Sequence, residues 1–221
     1  MRNLVQGVRR FRTEVFAQQR EYYKKLAAGQ HPQALFITCS DSRVVPNLIT
    51  QTAPGELFVL RNAGNIIPPP GAASGGEAAT IEFAIEHLNV EHIIVCGHTQ
   101  CGAMKALVNP GSADSMPTVA AWLKYAEATR RVVSDNYQDY SGDALVNIAA
   151  QEHVLMQLEI LQTHPAVASR LVHGALTLHG WMFKIEAGQV FAYDDAQGLF
   201  LPLSDTAEAD EAPAEAAATT V

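Results

Sequence analysis

Three short, continuously apolar runs constrain the fold of this chain more than any other feature: residues 34–38 (ALFIT), 57–60 (LFVL) and 92–96 (HIIVC). A half-solvated strand alternates apolar with polar residues, whereas a strand buried on both faces does not. Before the third run, a helical pattern starts near Gly76, with Ile81, Ala84, Ile85 and Leu88 at i, i+3, i+4 and i+7. Buried strands alternating with helices indicate an α/β domain whose mainly parallel central sheet is covered on both faces by flanking helices. Residues 66–76 (IIPPPGAASGG) read as a loop, because successive prolines exclude both helix and inner strand. Further helices are expected over 117–133, 145–163 and 165–173. Residues 181–186 and 190–193, split by Gly188, read as a C-terminal hairpin.

At the other end, Leu4, Val8, Phe11, Val15 and Tyr22 form an apolar stripe among bases and glutamines, the pattern of one or two amphipathic helices. Residues 1–28 are therefore expected to be an N-terminal helical arm on a single domain spanning 1–204. From Asp205 the composition turns to Ala, Glu, Thr and Pro, which cannot bury enough apolar surface to order itself, so 205–221 is expected to be a flexible acidic tail.

A chain of 221 residues supports one substantial core. Its net charge is −8, and five of the acids (Asp205, Glu208, Asp210, Glu211 and Glu215) lie in that tail, so the body is only mildly acidic. No basic stretch interleaves with aromatics, which argues against a nucleic-acid footprint and leaves small molecules and proteins as partners. The opening MRNLVQGVRRFR puts arginines where a secretory leader needs its apolar core. No run approaches the roughly 18 apolar residues of a membrane span, so a cytoplasmic protein is expected. Three cysteines cannot all pair with one another, and reduced thiols are the default reading.

The chemistry concentrates in two segments. TCSDSR (residues 38–43) follows the first apolar run, and GHTQCG (97–102) follows the third. Alone, the first segment could supply a metal ligand, an acid/base carboxylate or a polar turn. Alone, an HxxC pair is more often two unrelated residues than two ligands. Both segments, however, fall at the carboxyl ends of expected parallel strands, where ligands gather in open α/β sheets. Cys39, His98 and Cys101 can therefore meet. A helix starting near Thr99 would point His98 and Cys101 one way, and its N-terminus would favour the Cys101 thiolate. Two thiolates at about 2.3 Å and an imidazole at about 2.0 Å suit zinc, and three protein ligands leave the open position of a catalytic ion. Cys96 lies inside the strand run and reads as core. His153 and His173 sit on expected helices, where packing or a solvated face accounts for them.

CSDSRV (39–44), PGE (54–56), the RN-G-N pattern of 61–65 and GHTQCGAMK (97–105) resemble the β-class carbonic anhydrases, most of all the cyanobacterial carboxysomal branch related to the plant chloroplast enzymes. The resemblance runs over about residues 4–200. It implies one Zn2+ per chain on Cys39, His98 and Cys101, and reversible hydration of carbon dioxide to bicarbonate and a proton. Asp41 and Arg43 fit the catalytic helpers of that reaction: clamped by Arg43, Asp41 stays ionised and orients the nucleophile, and released from it, Asp41 could become a fourth ligand. The resemblance further implies that Phe58 and Phe83 line the carbon dioxide pocket, that Gly102 offers a backbone N–H, and that Gln30 reaches the substrate across a dimer interface. Bicarbonate-inhibited members carry Trp where this chain has Phe36, so no bicarbonate switch of that kind is expected. The family implies a homodimer or a tetramer to octamer with embracing N-terminal arms. Its carboxysomal branch implies residence in the carboxysome, carbon dioxide supply to carbon fixation, and docking to a scaffold protein with a γ-carbonic-anhydrase-like domain. A carbonyl sulfide or carbon disulfide hydrolase, a non-catalytic zinc-binding shell component and a thiol redox role for Cys96 and Cys101 are the competing readings.

Overall fold

The computed structural model describes residues 1–72 and 75–203. The tail expected over 205–221 lies outside the described residues. The three apolar runs form strands β1 (Ala34–Cys39), β2 (Leu57–Asn62) and β3 (His92–His98). They are followed late in the chain by β4 (Thr177–Lys184), β5 (Gln189–Asp194) and β6 (Leu199–Pro202). The strands make one six-stranded sheet in the order β2-β1-β3-β4-β5-β6. The β2-β1-β3-β4 part is parallel, while β5 and β6 add on antiparallel.

Two strand ends differ from expectation. β1 runs to Cys39 and β3 to His98, so both residues close their strands rather than follow them. The expected C-terminal hairpin is present as the antiparallel pair β4–β5, but it is part of a longer arrangement. Its first arm belongs to β4, which starts at Thr177 and pairs in parallel with β3, and β6 extends the sheet beyond the second. Gly180 hides this strand in the sequence by interrupting its apolar run. A Cβ there would lie 3.1 Å from both Val154 and Leu158, so glycine lets a helix pack close to the sheet.

The helices are α1 (Arg2–Arg10), α2 (Arg20–Ala28), α3 (Pro46–Ile49), α4 (Gly76–Glu86), α5 (Gly102–Val108), α6 (Pro117–Leu123), α7 (Glu127–Asn136), α8 (Gly142–Gln162) and α9 (Pro165–Val172). A π-helical stretch, Phe11–Phe16, follows α1. The single helix expected over 117–133 is broken into α6 and α7 by a 3-10 turn at Lys124–Ala126. Side chains of α4 to α9 join Leu35, Ile37, Ile93 and Val95 in one large core on one face of the sheet. The opposite face holds a small cluster of Ala34, Phe36, Ile94, Cys96 and Phe183 with Val44, Ile49 and Trp181. Cover on the two faces is unequal: in this second cluster the helical contribution is Ile49 of α3. Meanwhile α1, the π-helical stretch and α2 contain no buried residue, and Leu4 and Val8 are 67% and 68% exposed.

Helix α8 lies across β3 and β4. A Cβ at Gly97 would meet Met182 Sδ at 2.7 Å and Val154 Cγ2 at 2.8 Å. Gly97→Ala should therefore force the helix off the sheet at a cost of about 1–3 kcal/mol. The check is a urea or thermal unfolding curve, and an unchanged midpoint would contradict the packing.

Buried on α8, His153 shares a 2.9 Å hydrogen bond between its Nδ1 and Thr129 Oγ1. Burial, partly offset by the Gly64 backbone, pushes its pKa from 6.5 down to about 4. The unfolded chain therefore binds a proton that the folded chain refuses as pH falls from about 6.5 to 4. Stability should drop through that window by on the order of 3 kcal/mol from this group. In His153→Gln the fall in unfolding free energy between neutral and acid pH should be visibly shallower than in the wild type, and parallel curves would refute the assignment.

Candidate metal centre

The parallel pairing of β1 with β3 sets Thr38 opposite Cys96, so the two strands end almost level. Cys39 closes one and His98 the other. The chain then makes a tight turn through Gln100, whose backbone is left-handed at φ 57, and returns Cys101 as the N-cap of α5. This corrects the expected helix start near Thr99: the helix begins at Gly102, and Cys101 stands at its mouth. The ligand atoms of Cys39, His98 and Cys101 all lie within 4.8 Å of one another, and all three residues are buried.

The imidazole is oriented for ligation. His98 Nδ1 lies 2.9 Å from the Thr99 carbonyl, which can only accept, so Nδ1 carries the proton and the lone pair sits on Nε2. Nε2 is buried and has no hydrogen-bond partner among the described residues, and it faces the two thiols. A buried polar atom without a partner is costly and uncommon, unless something outside the chain completes it. Here the missing partner fits a soft divalent cation.

The thiols fit the same reading. The Sγ atom of Cys39 accepts the Gly64 N–H at 3.3 Å. A hydrogen bond from Cys101 is the main cause that lowers the Cys39 thiol, to about 4. Facing that thiolate and buried with it, Cys101 is pushed up, although the N–H groups of Met104 and Ala103 at the start of α5 work the other way. Two thiols this close share one proton, and the second leaves when a cation takes its place.

Asp41 is clamped by Arg43. Arg43 Nε donates to Oδ1 at 2.9 Å, Nη2 to Oδ2 at 2.8 Å, and its backbone N–H to Oδ1 at 3.0 Å. The guanidinium holds the Asp41 carboxyl well below the usual carboxylate range, so it is ionised at every working pH. Its Oδ2 stands 3.9 Å from His98 Nε2, at the edge of the metal cluster.

Several supporting residues escaped the sequence reading. Arg61 donates to the Cys39 carbonyl at 3.1 and 3.0 Å and to the Asp41 carbonyl at 2.7 Å, fixing the backbone on both sides of Ser40. Gly64, at φ +84, has no room for a Cβ, which would lie 2.8 Å from Ala103 Cβ. Asn147 accepts the Gln100 N–H at 2.9 Å, and Arg43 donates to the Gln100 carbonyl at 3.2 Å. Thr99 ties the loop to the end of β4 by accepting the Ile185 N–H and donating to Glu186. Arg61 and Gly64 were signalled by the RN-G-N pattern and Thr99 by GHTQCG, while Asn147 had no signal, because their partners come from distant parts of the chain.

The remaining expected site residues divide. Gly102 opens α5 beside the cluster, and a Cβ on it would meet nothing within 4 Å. Phe58 and Phe83 do pair, ring centroids 5.9 Å apart, but Phe58 stands opposite Leu35, four residues along the strands from Cys39. That is about 13 Å from the metal level. Gln30 precedes the amino end of β1, at the opposite end of the sheet. Within one chain these three do not converge on the metal centre. Cys96 is wholly buried, and burial pushes its thiol up to about 12, which removes the thiolate that a redox role needs.

Comparison with known proteins agrees with this geometry. The family model described as carbonic anhydrase matches residues 34–190. A carbonic anhydrase of Synechococcus elongatus is 55% identical over 191 residues, 86% of this chain and 70% of the relative. The structure of the β-carbonic anhydrase CcaA superposes with a TM-score of 0.90 at 52% identity, covering 91% of this chain and 98% of that one. A structure of two tetrameric β-carbonic anhydrases from Sordaria macrospora matches with a TM-score of 0.77 at 28% identity, over 86% of this chain and 95% of that one. The motifs, the sheet and the likeness along nearly the whole chain lead to one assignment: the protein belongs to the β-class carbonic anhydrases, enzymes that hydrate carbon dioxide.

Proposed function

We propose that Cys39, His98 and Cys101 hold one zinc ion per chain and that carbon dioxide and bicarbonate interconvert there. The observation that carries this is the buried, unpartnered Nε2 of His98, facing two thiols beside a clamped carboxylate. Thiolate and imidazole favour zinc over the oxygen-seeking magnesium and calcium. Bound there, the ion would supply Lewis acidity that makes water a nucleophile near neutral pH.

The chain's own residues do the rest. Asp41, permanently ionised, accepts a hydrogen bond from the attacking water and aims it. Arg43 holds that carboxylate through two hydrogen bonds and would keep it from acting as a further ligand to a bound cation. Carbon dioxide is apolar and small, which suits an apolar pocket with one backbone donor, the Gly102 N–H. Gln30, Phe58 and Phe83 would line the substrate pocket of a neighbouring subunit, since they lie away from the metal centre of their own. The uncovered arm supports a homodimer or higher oligomer. Phe36 is fully buried edge-on against Trp181 at 5.9 Å, which supports the absence of a bicarbonate-driven closure of Asp41 onto the metal.

The likeness to a cyanobacterial relative supports a cytoplasmic enzyme within the carboxysome, docked to a γ-carbonic-anhydrase-like scaffold and supplying carbon dioxide to carbon fixation. No helix among the described residues is long and apolar enough to cross a membrane. The same site could also serve carbonyl sulfide or carbon disulfide hydrolysis. A silent shell component has no use for the clamped Asp41, which favours the catalytic reading.

Stopped-flow hydration across pH for the wild type and Asp41→Asn, with metal content measured in parallel, tests this directly. The variant should retain one zinc per chain and lose most of its activity; undiminished hydration would remove Asp41 from the mechanism. Faster turnover of carbonyl sulfide than of carbon dioxide in the same preparation would favour the hydrolase. Arg61→Met should instead act through the ligands, weakening metal affinity by about 10–100-fold. Competition against a zinc chelator reads that out, and wild-type affinity would mean that the two carbonyl contacts are dispensable.

A further inference from the structure

Strand β3 carries a histidine at each end. His98 closes it at the metal centre, and His92 opens it about 20 Å away. In the parallel register His179 of β4 stands opposite Ile94, two residues on from His92, so His92 and His179 project from the same face of the sheet. The two rings are tilted by 54° with centroids 5.2 Å apart, and His92 Nδ1 lies 3.2 Å from His179 Nε2. His92 reaches solvent, and beside it His31, Gln33 and Glu91 line a surface cleft.

Two nitrogens bound to one tetrahedral zinc, each at about 2.0–2.1 Å, stand about 3.3 Å apart. The observed separation matches that bite. It is also the long limit of an N–H···N hydrogen bond, about 3.2 Å. Moving the proton of the donor ring, His92, to its outer nitrogen and turning the rings so that both inner lone pairs converge would convert the hydrogen bond into a chelate with no net charge change. Glu91, lining the same cleft, favours the approach of a cation.

We propose that His92 and His179 form a second metal site, separate from the Cys39–His98–Cys101 centre, that binds a divalent late first-row cation such as zinc, with water filling the remaining positions. Paired imidazoles select that class over magnesium and calcium, which prefer oxygen. The site bridges the amino ends of β3 and β4 and touches no residue of the reaction, so its filling should stabilise the sheet rather than change the chemistry.

The test uses the full chain already loaded with its resident zinc, titrated calorimetrically with zinc chloride near neutral pH. The wild type should take up a further equivalent per chain and melt at a higher temperature, whereas magnesium chloride should do neither. His92→Gln and His179→Gln should each lose both effects while hydrating carbon dioxide normally without added zinc. Absence of the further equivalent in the wild type, or its survival in either variant, overturns the proposal.

Discussion

Everything at the metal centre depends on the in-register parallel pairing of β1 with β3. That ladder ends the two strands almost level and turns Cys39 and His98 to meet Cys101. A slip of one residue would send either side chain to the opposite face of the sheet. Two details hold the register. Fully buried Thr38 donates from Oγ1 to the Cys96 carbonyl at 2.8 Å, a bond between the strands one residue before Cys39. One residue before His98, Gly97 lets α8 seat against the sheet, so core packing and ligand placement depend on the same short segment.

Charge explains why the centre is built from these groups. Two thiolates carry two negative charges into a buried space, where they repel each other, and the proton that Cys39 and Cys101 share without a metal is the sign of that conflict. The neutral imidazole of His98 adds no charge, and the Asp41 carboxylate is already balanced by Arg43. A divalent cation therefore neutralises the pair with nothing left over. Arg61 acts at one remove: its donation to the carbonyls of Cys39 and Asp41 stiffens the backbone that presents both side chains to the centre. Such outer contacts set how precisely first ligands are held.

The parts of this design that were legible in the sequence rest on local pattern. Continuous apolar runs identified β1, β2 and β3, and two short motifs at the carboxyl ends of β1 and β3 picked out Cys39, His98 and Cys101, which the fold brings together, and the Asp41–Arg43 pair. What depends on long-range packing was not legible. The first residues of β4 and its parallel pairing with β3 were not legible because Gly180, needed for the approach of α8, interrupts its apolar pattern. The start of α5 could not be read, since Gln100 adopts a left-handed backbone that its residue type does not announce. Arg61 stood out in the sequence only as part of the RN-G-N pattern, and its role depends on two carbonyl partners some 20 residues away in the chain.

The homo-oligomer proposed above explains three features that one chain leaves unaccounted for. Helix α2 is nine residues long, and neither it nor α1 with its π-helical continuation contains a buried residue, whereas isolated helices shorter than about 12–15 residues are marginal in water. Their exposed apolar stripe would find its cover on a second copy. Phe83, 44% exposed with its ring 5.9 Å from that of Phe58, lies away from the Cys39–His98–Cys101 cluster of its own chain yet would suit the wall of an apolar pocket. Gln30 comes directly after α2, so an arm laid across a neighbour would carry its amide with it. Arm docking and pocket completion would then be one event, and the substrate site would depend on the same apolar stripe as the assembly.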